Sequence, residues 1–163
     1  MQLYLIRHAA AADAGERGDA GRPLTPRGRS SFRRVVDGLR ALDVRFDLVV
    51  HSPLLRAVQT ADLCLPLLAG QTEVSTALAE PPSEALLEHL DSELDSIAFV
   101  GHEPYLSQLC AWLVTGWQVH DAPGRPGAIE MKKGAVAWLE GEATPGAFVL
   151  RGLYGPRVLK HVT

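Results

Sequence analysis

Apolar residues along this chain fall into two rhythms. Short β-rich runs at Leu3–Ile6, Asp47–Val50, Ile97–Val100, Ala135–Leu139 and Phe148–Leu150, with a weaker one at Glu73–Ser75, have the length and residue types of strands. Between the earlier runs, Phe32, Val35, Val36, Leu39 and Leu42 recur at helical spacing, as do Leu54, Ala57, Val58, Ala61, Leu65 and Leu68. Strands alternating with helices predict an α/β fold: a three-layer α/β/α sandwich on a mostly parallel central sheet. Helix starts are marked by Thr25-Pro26 and Ser52-Pro53, each a capping hydroxyl followed by a proline suited to the first helical position. Ser83 is placed to cap a helix carrying Leu87, Leu90 and Leu94, and Glu103-Pro104 opens another with Leu106, Leu109, Cys110, Leu113 and Val114 as its stripe. The last third changes character. It is rich in Gly and Pro around Ala122–Gly127 and Thr144–Gly146 and predicts a long loop followed by a two-stranded hairpin.

With 163 residues and no repeat, linker or low-complexity tract, the chain is expected to form one domain over 1–163. A net charge of −3 and a pI near 6.0 argue against a general nucleic-acid footprint, so any anion site must be built locally. Cys64 and Cys110 both sit inside apolar helical patterns, where a thiol behaves as a small hydrophobe, and a reducing cytoplasm is expected. The opening residues run straight into a strand pattern without the regions of a signal peptide. No stretch is apolar for long enough to span a bilayer, so no membrane partner is expected.

Three strand ends carry the chemistry. The first strand ends in Arg7-His8. The second ends in His51-Ser52-Pro53, with Arg56 in the first turn of the following helix, and the fourth ends in Gly101-His102, again before a helix. Ligand sites of open α/β sheets lie outside the carboxyl ends of the strands. Parallel strands therefore gather two arginines and two histidines beside helix N-termini, which themselves favour an anion. Such a cluster calls for a phosphate-like dianion.

These residues also carry a resemblance. Leu5-Ile6-Arg7-His8 resembles the Arg-His signature of the histidine phosphatase superfamily, whose fold is called phosphoglycerate-mutase-like. Ser52-Pro53-Leu54-Leu55-Arg56-Ala57-Val58-Gln59-Thr60-Ala61 is similar to that family's second element, and Val100-Gly101-His102-Glu103-Pro104 to its second histidine motif. Arg22-Pro23-Leu24-Thr25-Pro26-Arg27-Gly28 resembles the corresponding stretch of the short SixA-type branch, the phosphohistidine phosphatases. The resemblance implies catalytic roles for His8, Arg7, Arg56 and His102, with His8 as a nucleophile that carries the phosphoryl group. Arg7, Arg56, His102 and Arg22 are the expected phosphate-binding residues. Ala9 stands where the family commonly has Gly. Mutase-type relatives carry a glutamate after the third strand as general acid; here Glu80 lies in that region, followed by Pro81-Pro82, and Asp19 is a second candidate by its position in the short branch.

A histidine nucleophile must be neutral, and nearby Arg7 and Arg56 are expected to disfavour its protonation. No cofactor or metal is needed in this scheme, and the chain has neither a Gly-rich phosphate loop with Lys nor a His-Glu-x-x-His pair. The expected substrate is a histidine-phosphorylated protein domain. A small phosphate ester is the alternative, and a non-catalytic phosphate-binding module a second one. His51 is a candidate pocket residue, whereas His89, His120 and His161 read as surface positions. Arg27, Arg29, Arg33, Arg34 and Arg40 crowd one helix as a solvated face or as a steering surface for an acidic partner.

Overall fold

The computed structural model describes residues 1–15, 18–117 and 129–162. The Gly/Pro-rich stretch predicted as a long loop, and His120, lie outside them. Six strands form one mixed sheet: β1 (Gln2–Arg7), β2 (Phe46–His51), β3 (Leu68–Val74), β4 (Ser96–Gly101), β5 (Val136–Gly141) and β6 (Phe148–Tyr154), in the order β3-β2-β4-β1-β5-β6. The first four run parallel, while β5 pairs antiparallel with β1 and with β6 as the predicted hairpin.

The side-chain period of two on each strand divides the core between two faces. Leu3, Leu5, Ile97 and Phe99 turn to one side, under Leu106, Leu109 and Leu113 of α3 (Tyr105–Thr115). Tyr4, Ile6, Ala98 and Val100 turn to the other, under Phe32, Val35 and Leu39 of α1 (Pro26–Ala41) and Ala57, Ala61 and Cys64 of α2 (Leu55–Cys64). This is the expected three-layer sandwich. Both cysteines are free and buried, and among the described residues no helix is long and apolar enough to cross a membrane. A short α4 (Pro156–Leu159) packs back on α1. A Cβ at Gly38 would collide with the Leu159 carbonyl, so this contact needs a residue without a side chain.

Two helix starts differ from the pattern. Thr25 caps α1 as predicted, its hydroxyl accepting from Gly28 N–H at 2.9 Å. Ser52 does not cap α2, which begins three residues later at Leu55; its hydroxyl accepts from Leu54 N–H at 3.2 Å and is shared with a histidine of the site. The Ser83 helix is a 3-10 segment over Glu84–His89 without a side-chain cap. The chain there offers only a short stretch, which ends where Asp91 accepts from Glu93 N–H and forms a competing turn.

Candidate active site

Sheet register sets the site. Arg7 pairs with Gly101 and His51 with Val100, so the carboxyl ends of β1, β4 and β2 are level. Two further backbone bonds continue the ladders past the strands: His8 N–H donates to the Gly101 carbonyl and Ser52 N–H to the Val100 carbonyl, each at 3.0 Å. The result brings the His8 and His102 rings to 5.1 Å between centroids, both buried.

The two imidazoles are held differently. His8 Nδ1 lies 2.7 Å from the Ala9 carbonyl oxygen, which can only accept, so Nδ1 carries the hydrogen and Nε2 keeps its lone pair. His102 Nε2 lies 2.8 Å from the Ser52 hydroxyl. That hydroxyl also accepts from Leu54 N–H and has one proton of its own; given to Nε2, it sets His102 as the Nδ1–H tautomer. Burial lowers the His8 pKa to about 4, with Arg56, Arg7 and Lys133 adding to the effect against the opposing Ala9 hydrogen bond. His102 is lowered to about 3, again by burial first and then by His8 and Arg56. The expected repulsion by the arginines is present; desolvation outweighs it.

Arginines surround this pair, and each is anchored. Arg7 Nη1 donates to the Met131 carbonyl at 2.6 Å. Arg56 is buried and donates to both the backbone carbonyl (2.8 Å) and the carboxylate (3.0 Å) of Asp19. Arg22 donates to the same carboxylate at 3.0 Å and, through Nε, to the Ala12 carbonyl at 2.7 Å. Asp19 thus ties together two cations 34 residues apart in sequence (56 − 22). Its carboxyl is held below the usual range by Arg22 first, then Arg56. Among the described residues the buried Arg7 Nε and His102 Nδ1 have no hydrogen-bond partner. Unpartnered buried polar atoms of this kind cost desolvation, and an anion between the two side chains would satisfy Arg7 Nε–H and the Nδ1–H form of His102. Glu80, the other carboxylate singled out, is exposed beyond β3, and its side chain makes no hydrogen bond among the described residues.

A supporting shell comes from α2. Thr60 Oγ1 accepts from Ala9 N–H at 3.1 Å and donates to the Arg56 carbonyl at 2.7 Å, and Gln59 Oε1 accepts from Leu24 N–H at 2.8 Å. Gln59 and Thr60 belong to the second family element, but the sequence alone assigns them no task. Their signal was the spacing: Arg56, Gln59 and Thr60 stand at i, i+3 and i+4 on one helix face. His51 is buried beside the site with Nδ1 donating to the Ser52 carbonyl at 3.0 Å, whereas His89 lies away from it, paired with Glu73 at 3.2 Å. Among the described residues there is no group of three or more His, Cys, Asp or Glu side chains arranged to hold a metal ion.

Comparison with known proteins agrees with this arrangement. Residues 3–82 match the model of the histidine phosphatase superfamily (branch 1). The chain is 34% identical over 143 residues to an uncharacterised protein of Picosynechococcus, covering 83% of this chain and 87% of that one. It is also 34% identical over 125 residues to the phosphohistidine phosphatase SixA of Escherichia coli, covering 71% and 76%. A solved structure of the protein histidine phosphatase SixA complexed with tungstate superimposes with a TM-score of 0.80 at 25% identity, over 98% of this chain and 99% of that one. With its strand-end histidines, anchored arginines and these relatives, the chain belongs to the histidine phosphatase superfamily and to its SixA-type branch.

Proposed function

We propose that this phosphatase removes phosphoryl groups from phosphorylated histidine side chains of proteins, passing them through a covalent phosphohistidine on His8. The observation that carries the reading is the hydrogen bond from His8 Nδ1 to the Ala9 carbonyl, which leaves Nε2 as a free lone pair on an imidazole kept neutral by burial. In the proposed first step Nε2 attacks phosphorus while the substrate P–N bond breaks and its electron pair stays with the substrate ring. Arg7, Arg56 and His102 Nδ1–H meet the phosphoryl oxygens, with Arg22 steadying Asp19 behind them. Donors that strengthen in the transition state are each worth on the order of a hundredfold to a thousandfold in rate. His8 keeps its Nδ1 hydrogen on Ala9, so the intermediate is a phosphoimidazolium. Water then attacks phosphorus, the electron pair returns to Nε2, and dihydrogen phosphate leaves. Arginine charge meets the phosphoryl group throughout, so the proposed chemistry uses no divalent cation.

Phosphohistidine is favoured over esters by the state of the two carboxylates. An alkoxide leaving group needs a placed acid. Asp19 is committed to two arginines and holds no proton near neutral pH, and Glu80 is exposed and unheld. A phosphohistidine ring protonated from solvent on its second nitrogen leaves as a neutral imidazole and needs neither. Acid-labile, base-stable phosphate is expected on the wild type during turnover and absent in His8→Ala. The ratio of kcat/KM for a phosphohistidine protein to that for the best small ester is expected above one. A ratio below one assigns the enzyme to small esters, and phosphate trapped on any other residue removes the mechanism.

A further inference from the structure

Beside the active site, on the α1 side of the sheet, lies a cleft of about 250 Å³. Ala9 and Ala10, directly after the nucleophile, form one wall; Arg27 and Ser31 of α1, Lys133 and Lys160 complete the rim. None of His8, Arg7, Arg56 or His102 lines it, so it adjoins the phosphoryl site without being part of it. Lys133 joins the two. The segment carrying it is fastened to the end of β1, since Gly134 N–H donates to the Arg7 and His8 carbonyls, and its charge acts on His8.

The cleft is cationic, and its charges are unpaired among the described residues. Arg27, Arg34, Lys133 and Arg157 are exposed, and none of them, nor Lys160, forms a salt bridge among the described residues. Arg27, Lys133 and Lys160 line the cleft itself, and partial burial and the nearby charges of Arg34, Arg27 and Arg157 all lower the Lys160 pKa. This clustering is imposed by the docking of α4 on α1 at Gly38. Arg29, Arg33 and Arg40 share the same helix, but Arg40 is paired with Asp37. From Arg27 to Arg34 is seven residues, or about 10 Å along α1. A single phosphate is too short for that stripe, and no cation in it is deeply buried. Several carboxylates along a polypeptide fit its length and sign.

We propose that this cleft docks an acidic polypeptide segment flanking the phosphorylated residue of the substrate protein. The inference rests on the phosphohistidine reading above for its biological setting, but not for its test. Long-range attraction of this kind acts on encounter and on KM more than on the chemical step, and salt weakens it.

Two peptides probe it, each with a central histidine flanked by four glutamates or by four glutamines. In NMR titrations of the whole protein, the unphosphorylated glutamate peptide is expected to shift Arg27, Arg34, Lys133, Arg157 and Lys160 saturably, and the glutamine peptide is not. Absence of saturable shifts there overturns the docking proposal whether or not the enzyme hydrolyses phosphohistidine. With both peptides phosphorylated, kcat/KM is expected at least tenfold higher for the glutamate form at low salt. Arg27→Glu is expected to erase that ratio, while Arg40→Glu, the same charge change on the same helix but outside the cleft, preserves it. Equal kcat/KM for the two peptides refutes docking and leaves the phosphohistidine activity standing; hydrolysis of neither refutes that activity and leaves the titration to decide the cleft.

Discussion

Replacing Asp19 with asparagine separates two tasks that a carboxylate can have in this site, supplying a proton or holding arginines. The geometry favours holding. Asp19 accepts from Arg56 and Arg22 at 3.0 Å each, with side-chain exposures of 60% for Asp19, 9% for Arg56 and 22% for Arg22. Pairs with one partner this exposed are worth about 0–1 kcal/mol each, so the two together amount to about 1 kcal/mol. The Arg56 bond to the Asp19 backbone carbonyl at 2.8 Å survives the substitution. Arg56 should therefore stay in the site with a looser guanidinium, and kcat/KM should fall by about fivefold, the equivalent of about 1 kcal/mol. Arg56→Ala removes a charged donor outright and should cost on the order of a hundredfold to a thousandfold. The assay is kcat/KM over a series of aryl phosphates whose leaving groups rise in basicity. A holding role predicts the same loss across the series. A general acid predicts a loss that grows with leaving-group basicity toward about a hundredfold or more. A growing loss in Asp19→Asn would refute the reasoning and make Asp19 the acid.

Ring titrations by NMR should place the His8 midpoint near 4, far below 6.5, and a midpoint near 6.5 would contradict the burial argument. Because the folded pKa is depressed, the unfolded chain binds more protons between those values, so stability is retained above about pH 6.5 and lost as pH falls toward 4; His8→Asn should recover up to about 3 kcal/mol of that acid-side loss in denaturation measured at pH 4. Thr60→Val leaves the Ala9 N–H unsatisfied and should destabilise by about 1–3 kcal/mol in urea melts while loosening the His8 loop; an unchanged melt would show that the bond contributes nothing. Chelation should leave turnover within about twofold of its untreated rate, since arginines meet the phosphoryl charge, and restoration of lost activity by added magnesium or zinc would overturn that expectation.

Much of the molecule is written in local order. Strand and helix depend on the residues two, three and four positions away, so the runs at Leu3–Ile6, Asp47–Val50 and Ile97–Val100 and the stripe Phe32-Val35-Leu39 suffice to predict β1, β2, β4 and α1. Parallel strands with short turns then put Arg7, His8, Ser52, Arg56 and His102 at one sheet edge, and that much of the site follows from sequence position alone. Leu87, Leu90 and Leu94 keep helical spacing, but the stretch between Ser83 and the turn at Asp91 is short, and a 3-10 segment stands there instead of the predicted helix.

Tertiary structure decided the rest, because partners brought together by packing leave no periodic trace in the chain. The sequence leaves Asp19 without partners; only folding sets its carboxylate between Arg22 and Arg56, where it accepts from both. Ser52 looked like a helix cap, but the alignment of β2 with β4 turns its hydroxyl to a histidine 50 positions away. Lys133, more than a hundred residues from His8, enters its surroundings only because β5 returns beside β1 and the preceding turn bonds to the Arg7 and His8 carbonyls. The protonation of the two histidines was decided in the same way: desolvation depends on how many atoms crowd a ring from every direction, and only the packed fold sets that number.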